Sequence, residues 1–229
     1  MKCVILAGGK GTRISELSKS IPKPMIKILG LPIITRIIIH YQKFGFKDFI
    51  IAAGYKKQII IDYFKNKKLK GLNIKVVDTG LNTMTGGRLK RLKKYLNEET
   101  FMLTYGDGLS NVNIKRLVSF HKKNKKIATL TAVRPPARFG AIRIKGNKIK
   151  YFKEKSKLDV GWINGGFFVF NSKIFDYIKG DGTFLEKEPL QKVSKKGELL
   201  AFKHQGYWQC MDTIRDKQLI EESLKRKEI

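Results

Sequence analysis

The chain of 229 residues is long enough for one sizeable core holding a deep cleft. Apolar residues at 42% and charged residues at 29% exclude a disordered polymer, a collagen-like repeat and a disulfide-stapled scaffold. A net charge of +29 favours anionic partners, but only 10 of the 48 cations are Arg, and lysine pairs such as Lys56-Lys57, Lys93-Lys94 and Lys195-Lys196 are spread along the chain; the charge reads as a solvated surface that admits phosphorylated ligands without specifying them.

Short apolar, β-branched runs at 2–7, 48–53, 74–77, 100–105 and 127–133 read as strands, and the segments between them, 33–44, 58–64, 87–95 and 114–124, space their apolar residues as helices do. Strand then helix, repeated, predicts an α/β fold with a mostly parallel sheet covered on both faces. In such sheets ligands bind beyond the carboxyl ends of the strands, which points to the residues after Ala7 and Tyr105. After Pro135-Pro136 the character changes. Segments 141–145 and 148–154 flank the turn pair Gly146-Asn147 as a hairpin, 163–170 and 199–204 read as strands, and 172–178, 186–195 and 214–227 as helices.

No repeat or flexible linker interrupts the chain, so one domain over 1–229 is expected, with halves at 1–134 and 135–229 and a small β-rich lobe in the second. Met1 and Lys2 precede only five apolar residues, too few for a secretory signal, and the apolar stretch 26–39 is broken by Lys27, Pro32 and Arg36, so no membrane partner is expected. Cys3 and Cys210 lack metal-ligand spacing and read as reduced thiols, which favours a cytoplasmic location. His40, His121 and His204 have no paired spacing and read as ordinary helix or strand residues.

The strongest motif is Leu6-Ala7-Gly8-Gly9-Lys10-Gly11-Thr12-Arg13, directly after the first strand. Its glycines let backbone approach a ligand and expose N–H groups, while Thr12 and Arg13 add a hydroxyl and a forked cation suited to phosphate oxygens. It matches neither a Walker A loop nor the dinucleotide fingerprint, and the alternative is an ordinary tight turn. In Pro22-Lys23-Pro24-Met25, two prolines hold Lys23 on a stiff loop.

These motifs, in order with Thr85-Gly86-Gly87-Arg88-Leu89-Lys90-Arg91, Tyr105-Gly106-Asp107-Gly108, Ile163-Asn164-Gly165-Gly166-Phe167-Phe168 and Met211-Asp212-Thr213, resemble the sugar-1-phosphate nucleotidyltransferases along almost the whole chain. Within them the closer similarity is to the glucose-1-phosphate cytidylyltransferases. The resemblance implies a Rossmann-like three-layer fold, with 1–134 as a nucleotide-binding half and 135–229 as a sugar-binding and C-terminal half. It also implies Mg²⁺-dependent transfer of a cytidylyl group from CTP to a sugar 1-phosphate.

Carried over by residue, Leu6, Ala7, Gly8, Gly9, Gly11, Thr12, Arg13, Lys23, Thr85, Gly86 and Gly106 would hold the nucleotide. Arg13, Lys23 and Asp107 would be catalytic, Asp107 and Asp212 would hold Mg²⁺, and Gly140, Glu154, Lys155 and Asn164 would meet the sugar phosphate. Asp212 could equally cap the helix starting near Ile214, Thr85-Gly86-Gly87 could be a helix start with no ligand, and Arg88, Lys90 and Arg91 read in part as surface charges.

Two departures from the family pattern bear on specificity and assembly: Glu154-Lys155-Ser156 stands where the family has Glu-Lys-Pro, and the connection from Phe64 to Ile74 is short. A homo-oligomer using CTP and glucose 1-phosphate is expected, with UTP, dTTP or another phosphorylated acceptor as alternatives. The competing class is a basic module holding RNA on a degenerate enzyme fold; it rests on the net charge alone, and no specific nucleic acid is expected.

Overall fold

The first strand shows why the chain folds in layers. In β1 (Cys3–Ala7) successive side chains point to opposite faces. Cys3, Ile5 and Ala7 enter one buried core, and Val4 and Leu6 enter another. A strand apolar on both faces must be covered on both. The computed structural model describes residues 1–67, 69–96, 100–136, 141–153 and 161–229.

Six further strands join β1 in one sheet: β2 (Asp48–Ala53), β3 (Asn73–Asp78), β4 (Phe101–Tyr105), β5 (Ala128–Val133), β6 (Ile163–Phe170) and β7 (Leu199–His204). Their order is β7-β5-β6-β4-β1-β2-β3. Every neighbouring pair is parallel except those of β6, which runs antiparallel to both β4 and β5. The longer helices are α1 (Ile33–Lys43), α2 (Lys57–Asn66), α3 (Thr85–Arg91), α4 (Ile114–Asn124), α5 (Glu188–Lys195) and α6 (Ile214–Lys225). Ile37 of α1, Ile60 of α2, Leu117 of α4 and Ile220 of α6 pack in the first core, while Leu89 of α3 and Leu190 and Val193 of α5 pack in the second. The molecule is therefore a three-layer α/β structure with a seven-stranded, mostly parallel sheet.

The second half of the chain is woven into this sheet, since β6 lies between β4 and β5 and β7 forms an edge. Among the described residues there, only the hairpin Ala141–Lys145 with Lys148–Lys153 forms a sheet of its own. The helix read over 87–95 is divided, α3 ending at Arg91 with Leu92 as its C-cap before a one-turn helix over Lys93–Leu96. Residues Ser172–Tyr177 form a 3₁₀ helix capped by the Asn171 side chain, which accepts from Lys173 N–H at 3.0 Å. Helix α5 starts at Glu188 rather than at 186, with Pro189 in its first turn, which leaves Glu186 outside the helix.

Two small ribbons have no counterpart in the sequence reading: Lys27–Ile28 with Leu31–Pro32, and Gly108–Ser110 with Trp208–Cys210. Among the described residues, no helix is long and apolar enough to cross a membrane.

Candidate active site

The sheet order reverses at β1, with β2 and β3 on one side and β4 on the other, so a crevice opens at the carboxyl ends of β1 and β4. The chain leaves β1 as the glycine loop and β4 as Gly106-Asp107. Gly106 N–H donates to the Leu6 carbonyl at 2.9 Å. A Cβ on Gly106 would stand 2.9 Å from that oxygen and 3.1 Å from Pro24 Cγ, so glycine is what lets the two strand ends and the proline loop touch.

A cleft of about 550 Å³ lies above this point. Of the expected nucleotide residues, Leu6, Ala7, Gly8, Gly9, Gly11, Thr12, Arg13, Lys23, Thr85 and Gly106 line it, as do Asp107, Asp212 and Asn164. Gly86 does not. Its N–H donates to the Thr183 carbonyl at 2.9 Å, and a Cβ there would lie 2.8 Å from the same oxygen, so Gly86 serves the packing of α3 under the loop before α5. Gly140, Glu154 and Lys155 lie outside the described residues. A second cavity of about 610 Å³ sits at the opposite, amino ends of β2 and β3, beside Lys2, Asp48, Lys75 and Tyr95, and contains none of the expected residues.

The surface charge resolves sharply here. Among the described residues, Lys23 and Arg88 are the buried lysine and arginine, 7% and 4% exposed, and both line the cleft. Lys23 Nζ donates to Asp107 Oδ2 at 2.6 Å and to Asp212 Oδ1 at 2.7 Å. Burial alone would lower the pKa of the Lys23 ammonium, but the charges and hydrogen bonds of Asp107 and Asp212 outweigh it and raise the value. Burial likewise opposes the Asp212 carboxylate, and Lys23, then Arg13, overcome it and lower its pKa. Arg13, on the exposed rim, forms an ion pair with Asp212.

The sign of both shifts fixes a pH profile. The Asp212 contribution to stability is present above its unfolded value of about 4 and is lost as pH falls through the lowered folded value. The Lys23 contribution is present below about 10.4 and is lost as pH rises through the raised folded value. In urea titrations, the stability difference between the wild type and Lys23→Met should be largest between pH 7 and 9 and shrink as pH falls and the carboxylates left without Lys23 take up protons. A difference that persists undiminished at pH 3 would refute this linkage.

Asp212 is free for this role because another residue caps the helix. Thr213 is the N-cap of α6, its hydroxyl accepting from Asp216 N–H at 3.1 Å, and the Asp216 carboxylate accepts from Thr213 N–H at 2.9 Å in a capping box. The capping role considered for Asp212 is thereby taken. Asp212 meets Asp107 through the Gly108–Ser110 and Trp208–Cys210 ribbon, just beyond which Met211 N–H donates to the Asp107 carbonyl at 2.8 Å.

Among the described residues there is no cluster of three or more His, Cys, Asp or Glu that could hold a metal ion by itself. Asp107 and Asp212 are instead a pair of hard oxygen donors already converging on one cation, the Lys23 ammonium. This donor set suits a Mg²⁺ ion that completes its shell with phosphate and water.

Arg88 corrects the reading of that position as a surface charge. Its guanidinium donates to the carbonyls of Gly8 at 3.0 Å and Gly80 at 2.6 Å and to Thr79 Oγ1 at 2.8 Å, tying the glycine loop to the end of β3. Burial lowers its pKa, and nearby Arg91 adds to the effect. A lysine has no planar fork to span these acceptors. Arg88→Lys is expected to cost about 2–4 kcal/mol of stability by urea denaturation, from buried carbonyls left without donors. Nothing in the sequence told which of the charges at Arg88, Lys90 and Arg91 turned inward.

Sequence reasoning also passed over Glu186. The Glu186 carboxylate lines the cleft and accepts from Thr85 Oγ1 and from the Tyr105 hydroxyl, each at 2.6 Å. Tyr105 in turn lies 3.4 Å from Asn164 Nδ2. Its carrying loop is fastened over α3 by Arg91, which meets Asp181 through two hydrogen bonds. The three histidines lie in α1, α4 and β7, and none lines the cleft.

A glycine loop, a buried ammonium and two convergent carboxylates at the switch point of a parallel sheet describe a class of protein that handles nucleoside phosphates. A model of the nucleotidyl transferase family matches residues 2–225, and the chain belongs to that family. Glucose-1-phosphate cytidylyltransferase of Salmonella typhimurium is 46% identical over 243 residues, covering 96% of this chain and 95% of that protein. That alignment is longer than the 229 residues of this chain, so the Salmonella protein carries residues that this one lacks.

HddC from Yersinia pseudotuberculosis, solved in complex with GMP-PN, superposes with a TM-score of 0.77 at 25% identity over 97% of this chain and 99% of that one. A UDP-glucose pyrophosphorylase complexed with UDP-glucose shares the fold, with a TM-score of 0.77 at 19% identity over 99% and 98% of the two chains.

Proposed function

We propose that the chain transfers the cytidylyl group of CTP to glucose 1-phosphate, giving CDP-glucose and pyrophosphate. The observation that carries this reading is the Lys23 ammonium held between Asp107 and Asp212 beside the glycine loop, and the 46% identity to a glucose-1-phosphate cytidylyltransferase supports the choice of substrates. A phosphate oxygen of the sugar 1-phosphate attacks the α-phosphorus. The bond from that phosphorus to the β-phosphate oxygen breaks, and pyrophosphate leaves with the electron pair.

Such a displacement needs charge neutralisation and alignment more than covalent help. Gly8, Gly9 and Gly11 bring backbone against the triphosphate, and Arg13 on the rim grips the departing pyrophosphate. Lys23 stabilises charge growing around the α-phosphate. Asp107 and Asp212 would hold Mg²⁺, which when bound would offset the negative charge of the phosphates. Asn164 faces the same cleft and offers an amide to the sugar hydroxyls.

The two cysteines are unbridged, which agrees with a cytoplasmic reaction, and assembly as a homo-oligomer belongs to the same reading and is read by light scattering. The deciding experiment is pyrophosphate release with Mg²⁺ and each of CTP, UTP, dTTP, ATP and GTP against a panel of sugar 1-phosphates. Turnover with CTP and glucose 1-phosphate is expected. Equal use of UTP would overturn the nucleotide assignment, and turnover only with another acceptor would overturn the sugar.

A further inference from the structure

A carboxylate is an unexpected lining for a cleft that binds phosphates, because it repels them. Glu186 is such a carboxylate, and among the described residues no Lys or Arg forms an ion pair with it. Its partners are two neutral hydroxyls. An ionised carboxylate only accepts, so both hydroxyls must point their protons at it.

The direction of every other bond in the chain follows from that. The Thr85 oxygen, its proton committed to Glu186 at 2.6 Å, accepts from Leu185 N–H at 2.9 Å. The Tyr105 oxygen, its proton committed to the other carboxylate oxygen at 2.6 Å, turns a lone pair toward Asn164 Nδ2 at 3.4 Å. Asn164 is then fixed as to which way its amide faces, its Oδ1 accepting from Gly166 N–H at 3.0 Å. The Tyr105 ring occupies the space that a side chain at Gly166 would need, where a Cβ would stand 2.3 Å from Cδ2. Burial and then the Glu186 charge raise the Tyr105 pKa far above the usual range, so the phenol remains a donor throughout.

We propose that Glu186 is a positioning residue that orients both substrate subsites at once, the nucleotide side through Thr85 and the sugar side through Tyr105 and Asn164. The inference rests on the reading of the cleft as a cytidylyltransferase site. One acceptor-only group at the junction makes the two halves of the cleft a single hydrogen-bonded unit.

The test is a split of Michaelis constants, measured on folded variants with matched circular dichroism. Thr85→Val should raise KM for CTP about 5–10-fold and leave KM for glucose 1-phosphate unchanged, while Tyr105→Phe should do the reverse. Glu186→Gln keeps the size of the side chain but replaces one acceptor oxygen by a donor, and it should raise both. Calorimetric binding of CTP alone and of glucose 1-phosphate alone gives the same split for a variant too slow to assay.

Should Glu186→Gln leave both constants within twofold of wild type, or move only one, the coupling role is overturned while the cytidylyltransferase reading stands. The role is equally overturned if Tyr105→Phe raises both constants alike. A wild type that neither binds nor turns over CTP and glucose 1-phosphate overturns the reading of the cleft, and the coupling with it.

Discussion

Replacing Lys23 by Met is expected to lower turnover by about 10²–10³-fold, the loss usual when one preorganised cationic or hydrogen-bonding partner of a developing charge is removed. The same change should cost about 3–5 kcal/mol of stability without added divalent ion, because it leaves Asp107 and Asp212 facing each other with their shared counter-charge gone. Added Mg²⁺ should then raise the melting temperature of the variant more than that of the wild type, since only the variant presents two uncompensated carboxylates. Differential scanning fluorimetry with and without Mg²⁺ reads this directly. Equal shifts in the two proteins would remove the argument that Lys23 occupies the position between the carboxylates.

Asp107→Asn should be the most damaging change at a carboxylate, with kcat lower on the order of 10³-fold. The amide keeps the size of the side chain and can still accept from Lys23, so the melting temperature should change little compared with the loss of turnover. Asp212→Asn should follow the same pattern with a greater loss of stability, because that carboxylate also pairs with Arg13. Pyrophosphate release as a function of Mg²⁺ concentration separates causes: a variant that recovers at high Mg²⁺ has lost metal affinity, and one that does not has lost alignment. Unimpaired turnover by Asp107→Asn would exclude it from the metal site.

The fold was legible wherever the signal was long enough to have a period. Residues 3–7 and 49–53 are apolar on both faces because both are covered, and this near-continuous pattern marks a buried parallel strand. The glycine loop and Pro22-Lys23-Pro24 were legible as backbone chemistry, since glycine and proline constrain conformation whatever packs around them.

The ribbons were not legible. Strands of two or three residues have no periodicity, and the pairing of Gly108–Ser110 with Trp208–Cys210 is a purely long-range choice. Arg88 and Glu186 escaped for a different reason. A charged residue reads as exposed by default, and whether it turns inward is decided by carbonyls and hydroxyls brought in from distant segments, as Gly8 is for Arg88 and Tyr105 for Glu186. Asp212 had two competing roles in the sequence, and Thr213 with Asp216 took the cap.

The ribbon also bears on the order in which the site is assembled. One of its strands follows β4 and the other follows β7, so their pairing closes a loop of roughly 100 residues. Contacts that remote form late, after the local strand-helix units have organised. A nascent or prematurely truncated polypeptide can therefore carry the complete glycine loop and Lys23 while lacking the second carboxylate. The two carboxylates about Lys23 are thus brought together only when that long-range pairing forms.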